Sequence, residues 1–294
     1  MIKSRKKPEL SIIVVSFNGK PYLKSCLSSI VKNVQKIDFE VIVVDNGSVD
    51  GSPEFISKNF PLIKLIRNDQ NLGYSKANNQ GIREAKGEFI LFLNSDTRTF
   101  PGAFDLLLEE MKAFPSVGAV GPALISEKDR YQVSFGMKIN FVYEMLQKCL
   151  LNHYFRQKLK GMQQKLEVGW LSGACLLTRK SVLEEVGLFD EKFFLYFEDI
   201  DLCRKISSNG RKLIFVPKAK VFHAEGVSTG LYKLSSLFYY RQSQIYFYRK
   251  HCSETSTFLL RVYLRINFIL LFITDFMRSR KDRDLLLSFF RLLK

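Results

Sequence analysis

Three times this chain runs through a short apolar segment and stops on acids or amides. The segments are Val41-Ile42-Val43-Val44-Asp45-Asn46, Phe89-Ile90-Leu91-Phe92-Leu93-Asn94-Ser95-Asp96 and Phe193-Phe194-Leu195-Tyr196-Phe197-Glu198-Asp199. An apolar run of this length reads as a buried strand or its equivalent. In open α/β sheets, ligands collect outside the carboxyl ends of the strands. Carboxylates gathered there need a partner, because an unpaired charge near a core is costly. A divalent metal holding a phosphorylated ligand would be such a partner.

The first half of the chain alternates strand and helix signals. Strands are expected at 10–17, 39–44, 63–66, 89–93 and 117–125, with helices at 21–34, 53–59, 75–85 and 103–113 between them. This order predicts an α/β fold with a mostly parallel central sheet flanked by helices. Beyond Ser126 the rhythm changes. A basic helical stretch is expected over 141–164, a strand over 168–177, helices at 180–186 and 199–208, and strands at 212–216 and 220–223. Everything after Gly230 reads as helix.

Charge is spread unevenly. The formal net charge is +16, and Lys3, Arg5, Lys6 and Lys7 open the chain. From Leu231 onward twelve Lys/Arg stand against four Asp/Glu, a net of +8. Such an excess points to a polyanionic partner: nucleic acid, an anionic bilayer or a phosphorylated substrate. Tyr239, Tyr240, Phe247, Leu259, Tyr263 and Phe268 interleave there with Arg241, Arg249, Lys250, Arg261 and Arg265, which favours a membrane surface over a nucleic-acid groove. The most hydrophobic window, 258–277, carries Arg261, Arg265 and Asp275. Its uncharged core is nine residues, Ile266 to Thr274, which suits an interfacial helix rather than a spanning one. The five cysteines (26, 149, 175, 203, 252) are odd in number and show no CxxC. They read as reduced, mostly buried thiols of a cytosolic protein, and no signal peptide is expected.

Each chemical signal has an ordinary structural counterpart. Asp45-Asn46-Gly47-Ser48 could bind sugar or base edges, or could simply turn the chain into a helix capped by Ser52. The helix opened by Asn71-Leu72-Gly73-Tyr74 offers free N–H groups and Lys76, suited to phosphate, or is merely a capped turn. Asn94-Ser95-Asp96 resembles an Asp-x-Asp metal pair, or is an Asx turn. Glu198-Asp199-x-Asp201 starts a helix, where successive side chains point about 100° apart, so only one or two of these acids share a pocket. Asp199 is expected to act as general base with Glu198 beside it. The other reading is helix-dipole acids on a solvated turn. His223 could fill the ligand position that Asn94 leaves open, or be a packed histidine. Trp170 could stack on a sugar, or on the core.

In order and spacing, however, these segments resemble one family. Ser11 to Asn18, Val43 to Ser52, Asn71 to Tyr74, Phe92 to Asp96, Trp170 to Ala174, Gly187 to Asp190 and Phe197 to Asp201 with His223 together resemble family 2 glycosyltransferases. The likeness extends over about residues 8 to 250 and is nearest to the rhamnosyltransferase-like and galactofuranosyltransferase-like branch that builds bacterial surface polysaccharides. It implies a GT-A fold over 8–230, with a nucleotide-sugar-binding half (8–125), an acceptor-binding half (126–230) and a basic amphipathic helical extension (231–294).

The resemblance also assigns positions. Donor-binding residues would be Phe17, Asn18, Asp45, Asn46, Ser48, Asn71, Gly73, Lys76, Asn79, Ser95 and Asp96. Asp96 and His223 would hold Mg²⁺ or Mn²⁺, Trp170 and Gly173 would border the acceptor, and Asp199 with Glu198 would be catalytic. The implied activity is inverting transfer of a sugar, rhamnose on this likeness, from a nucleoside-diphosphate donor to a saccharide linked to polyprenyl diphosphate. The expected place is the cytoplasmic face of the membrane, without nucleic acid. Asn94 departs from the stricter Asp of the family. A nucleotidyltransferase, a catalytically silent nucleotide-sugar-binding protein and a nucleic-acid-binding protein are the competing readings. The first lacks a Gly-rich basic loop after the first strand.

Overall fold

The computed structural model describes residues 7–126, 130–137, 139–146, 161–224 and 233–276. The core is set by strands that are apolar on both faces. β1 (Leu10–Ser16) sends Leu10, Ile12 and Val14 to one side and Ile13 and Val15 to the other. β4 (Phe89–Asn94) divides the same way, with Phe89, Leu91 and Leu93 opposite Ile90 and Phe92. Such strands are stable only with helices on both faces. One face is covered by α1 (Lys20–Asn33), α2 (Ser52–Asn59) and α4 (Ala103–Ala113). The other is covered by α3 (Tyr74–Glu84), α6 (Lys180–Val186) and α7 (Glu198–Ser208).

Besides β1 and β4, the main sheet contains β2 (Phe39–Asp45), β3 (Lys64–Arg67), β5 (Thr97–Thr99), β6 (Val117–Ile125), β10 (Cys175–Arg179) and β11 (Lys212–His223). The order is β3-β2-β1-β4-β10-β6-β11-β5, and β8 (Leu166–Glu167) also pairs with β11. From β3 to β4 the pairing is parallel, as expected from the alternating first half. The insertion of β10 makes the second half mixed: β10 runs antiparallel to both β4 and β6, while β11 lies parallel to β6.

Three expectations change. The strand anticipated over 168–177 is two pieces: β9 (Trp170–Leu171) pairs with β7 (Phe135–Gly136), and β10 joins the main sheet. The two strands anticipated at 212–216 and 220–223 are one, β11, with a register irregularity between Val216 and Lys220. The apolar run 193–197 is not a strand at all, because Tyr196 and Phe197 hold φ of 70° and 66°. Two successive left-handed residues cannot continue an extended chain. Of the helix anticipated over 141–164, α5 (Phe141–Leu146) is described; 147–160, Cys149 included, lie outside the described residues.

The C-terminal helices α8 (Lys233–His251) and α9 (Glu254–Phe276) pack back on the 190s loop. Phe193 and Phe197 share a third apolar cluster with Ile245, Phe247, Tyr248, Leu260 and Leu264. Tyr239 stacks on Phe194, Tyr240 meets Tyr196 and Phe197, and Tyr263 meets Phe141. Five of the six aromatic and aliphatic residues expected to face a membrane have described side chains, and four of those (239, 240, 247, 263) are engaged in packing. Only Leu259 is exposed. Among the described residues no helix is long and apolar enough to cross a membrane.

Candidate active site

A cavity of about 470 Å³ opens at the carboxyl ends of β1, β4 and β11. It brings together Phe17, Asn46, Asn71, Gly73, Ser95, Asp96, Gly173, Glu198, Asp199 and His223, all singled out in the sequence. Tyr74, Asn94, Ser172, Phe194, Leu195 and Tyr196 complete its walls with Val15 and Ala174. Three carboxylates line it, and no Lys or Arg does among these described residues. A phosphorylated ligand entering here therefore needs a cation.

The left-handed turn at Tyr196 and Phe197 delivers Glu198 and Asp199 as the first residues of α7. Asp199 is held by main-chain donors: Gly173 N–H donates to Oδ2 at 2.7 Å and Ile200 N–H to Oδ1 at 2.8 Å. Burial nevertheless raises the Asp199 carboxyl above its ordinary value, against those N–H groups. Glu198 is raised further, by burial first and by the charge of Asp199 second. Its Oε2 has no protein partner. Adjacent and buried, the two acids disfavour each other's ionisation.

Across the cavity, Asp96 Oδ1 lies 3.4 Å from His223 Nε2. Gln132 fixes the imidazole. Its side-chain N–H donates to the His223 carbonyl at 2.8 Å, so its Oε1 accepts from Nδ1–H at 2.8 Å. With a neutral ring Nε2 is then an acceptor set beside a carboxylate oxygen, an arrangement suited to a shared cation. One carboxylate and one imidazole fit a borderline divalent ion such as Mn²⁺, with further positions left to ligand oxygens and water. Among the described residues no set of three His, Cys, Asp or Glu side chains forms a complete cage.

Asn94 takes a different part from a ligand. Its Oδ1 accepts from the Tyr74 hydroxyl at 3.0 Å and its Nδ2 lies 3.4 Å from His223 Nε2. Burial and the charges of Glu198, Asp199 and Asp96 hold the Tyr74 phenol well above its usual range, so it remains a donor. Neither Tyr74 nor Gln132 stood out as a site residue in the sequence. Tyr74 follows the Asn-Leu-Gly segment and could have been noticed there; Gln132 sits in a loop with no motif.

Other expected donor-binding residues have structural duties. Asn46 Nδ2 donates to Asn71 Oδ1 and the Gly73 carbonyl, and its Oδ1 accepts from Asn68 and Leu72, so it pins the 68–73 loop. Asn18 N–H donates to Ser48 Oγ, and Val49 N–H to Asn18 Oδ1, tying two loops together. Asn79 is buried against Phe189 and Glu191, and Lys76 is exposed; neither lines the cavity. The amides of Gly73 and Tyr74, expected to receive a phosphate, are taken by Asn71 Oδ1 and by the Phe194 carbonyl. Trp170 packs against Gly136 instead of bordering the cavity. Asp45 is buried beside the wall: Ser48 N–H donates to its Oδ2, while Oδ1 and the Ser16 hydroxyl of the adjoining strand lack partners. Burial pushes the nearby Cys26 thiol up to about 12, which leaves it inert.

The profile of glycosyl transferase family 2 matches residues 11–187. The N-acetylglucosaminyl-diphospho-decaprenol L-rhamnosyltransferase of Mycobacterium tuberculosis is 31% identical over 240 residues, covering 75% of this chain and 78% of that protein. The O-antigen biosynthesis protein RfbC of Myxococcus xanthus is 26% identical over 235 residues, 76% of this chain and 18% of its own. Among solved structures, the mannosyltransferase PcManGT from Pyrobaculum calidifontis in complex with GDP-Man and Mn²⁺ aligns with a TM-score of 0.59 at 20% identity, over 83% of this chain and 64% of that one. GalNAc-T7 with UDP, GalNAc and Mn²⁺ aligns at 0.58 and 18%, over 82% and 50%. These likenesses show the GT-A fold. The profile spans more than half of the chain and the mycobacterial relative three quarters of it, and on that ground the chain belongs to glycosyl transferase family 2.

Proposed function

We propose that this protein transfers a sugar from a nucleoside-diphosphate donor to a hydroxyl of a lipid-linked saccharide, with inversion, in cell-surface polysaccharide synthesis. The observation that carries the reading is Asp199, raised in pKa and fixed by Gly173 N–H, facing the same cavity as Asp96 and His223. The mycobacterial relative supports rhamnose as the sugar and a polyprenyl-diphosphate-linked N-acetylglucosamine as the acceptor.

In this reading the nucleoside lies toward β1 and β2, where Asp45 Oδ1 and Ser16 Oγ await donors. Asp96 and His223 Nε2 would hold the divalent ion, which when bound offsets charge on the leaving diphosphate as a Lewis acid. Asn94 and Gln132 keep the imidazole turned toward that position. Asp199 accepts the proton of the acceptor hydroxyl as its oxygen forms the new bond to the anomeric carbon and the diphosphate leaves. A raised pKa makes Asp199 the stronger base, and Gly173 N–H keeps Oδ2 from rotating away. Phe194 and Tyr196 offer aromatic faces on the loop side of the cavity, suited to the apolar face of an acceptor ring.

The test is Asp199→Asn with dTDP-rhamnose, Mn²⁺ and a short-chain polyprenyl-diphospho-N-acetylglucosamine. Turnover should fall by at least ~10²-fold, the low end for loss of a general base, while donor Kd is retained. Near-normal turnover, or a product with retained anomeric configuration, would sink the mechanism.

A further inference from the structure

The exposed side of α9 is not built for water. Its seated side is Leu260 and Leu264, both buried, with Tyr263 against Phe141. On the opposite side Phe258 is 64% exposed, Leu259 38%, Ile266 55% and Ile269 50%. Positions 258, 262, 266 and 269 recur at helical spacing, so these side chains form one stripe. A water-facing helix of an ordinary domain carries polar residues there. Beside α9, α5 adds Val142 at 61% and Leu146 at 46%.

Basic charge gathers at the same place. Arg261 and Arg265 lie on α9 and Arg249 near the end of α8. Burial and the neighbouring guanidiniums of Arg249 and Arg265 hold Arg261 below its usual range, so both stand close to it. Arg261 Nε has no hydrogen-bond partner. An apolar stripe edged by clustered arginines matches one surface chemistry, acyl chains beneath anionic headgroups. A nucleic-acid backbone would meet the arginines but leave Phe258, Ile266 and Ile269 without a counterpart.

We infer that the outer face of α9, with α5 beside it, docks on an anionic lipid bilayer, Phe258, Ile266 and Ile269 entering the headgroup layer while Arg249, Arg261 and Arg265 meet lipid phosphates. This orientation differs from the one the sequence suggests, since Tyr239, Tyr240, Phe247 and Tyr263 are turned inward. It goes beyond the proposed chemistry and does not depend on it, because none of these residues lines the cavity.

The experiment is flotation of the intact chain with phosphatidylcholine vesicles, with and without phosphatidylglycerol, at low and high salt. Binding should require phosphatidylglycerol and weaken with salt. The double variant Ile266→Glu/Ile269→Glu should lower partitioning at least ~10-fold, since its two side chains supply part of the inserted apolar area. Arg261→Gln and Arg265→Gln should each lower it roughly fivefold. Donor hydrolysis and far-UV circular dichroism of these variants should match the parent chain. Absence of binding to phosphatidylglycerol vesicles would overturn the inference, as would equal binding by the double variant. So would a mass that doubles in solution and returns to monomer on Ile266→Glu, which would give the face to a second copy. Binding to duplex DNA in preference to vesicles would count against it equally.

Discussion

Gly173 and Asp199 meet at the break between β9 and β10: the Gly173 N–H donates to Asp199 Oδ2 at 2.7 Å, and a Cβ at Gly173 would stand 3.0 Å from Asp199 Cβ and 3.3 Å from Oδ2. The close approach is possible because residue 173 has no side chain. Gly173→Ala should therefore shift the Asp199 carboxylate by a few tenths of an ångström or more. A misplacement near 1 Å costs on the order of 10²-fold in rate, so turnover should fall between about tenfold and that limit. Donor Kd should be unchanged. Steady-state kinetics beside a calorimetric donor titration would check this, and unchanged turnover would show that Gly173 does not position the base.

The raised carboxyls give a pH signature. As the proposed base, Asp199 must be ionised to accept a proton, so kcat/KM should fall on the acid side of a limb lying above the ordinary aspartate value of about 3.9. A limb at or below that value would contradict the raised pKa of Asp199.

Stability should follow the same groups with the opposite benefit. A carboxyl whose folded pKa is raised stabilises the fold fully below its unfolded pKa, and that contribution is lost as pH rises through the folded value. Glu198, raised well above its ordinary range, is the larger case. Glu198→Gln cannot ionise, so the Tm difference between it and the parent should move in the variant's favour as pH climbs through the raised range. Parallel Tm curves across that range would refute the assignment.

Part of the cavity was legible in the sequence because strands must end somewhere, and Asn94, Asp96 and His223 stand at or just beyond the ends of β4 and β11. The loop at 193–197 was not legible as a loop. Its five apolar residues fill the third core cluster and the cavity wall, so hydrophobicity is conserved while extension is not; only the φ values of Tyr196 and Phe197 distinguish the two. Gln132 was invisible for another reason. Its role depends on a loop folding back under His223, across 91 residues of chain, and no local pattern encodes that contact. Asn46 and Asn71 show the converse: motif asparagines whose amides bind the chain itself before any ligand.

Gln132 makes a testable link to the proposed metal position. By accepting from Nδ1–H it turns His223 Nε2 toward Asp96. Removing a hydrogen-bond partner of a metal-ligating histidine typically lowers affinity 10- to 100-fold, here about that for Gln132→Leu. Gln132→Glu keeps the acceptor and should retain most of the affinity. Electron paramagnetic resonance of free Mn²⁺ during titration reads this without turnover. Equal Mn²⁺ affinity in Gln132→Leu and parent would remove Gln132 from the site.

Asp201, two residues beyond the proposed base, ties α7 to α8 with its side chain wholly buried. Its Oδ1 accepts from His251 Nε2 at 2.6 Å and from Lys250 Nζ at 2.8 Å, and Lys250 also reaches Asp190 at 2.7 Å. Asp201→Ala would leave His251 Nε2 without its acceptor and Lys250 with Asp190 alone, and should cost about 1–3 kcal/mol, the usual penalty for removing a charged hydrogen-bond partner. The consequence should reach the cavity, because α8 holds its loop wall: Ser243 Oγ–H donates to the Leu195 carbonyl and Tyr239 stacks on Phe194. Acceptor KM should therefore rise several-fold while donor KM stays fixed, since the proposed donor side rests on β1, β2 and β4. Urea unfolding together with separate KM values for each substrate distinguishes this from general loosening, which would raise both. If stability falls and neither KM moves, α8 props the fold without shaping the acceptor wall.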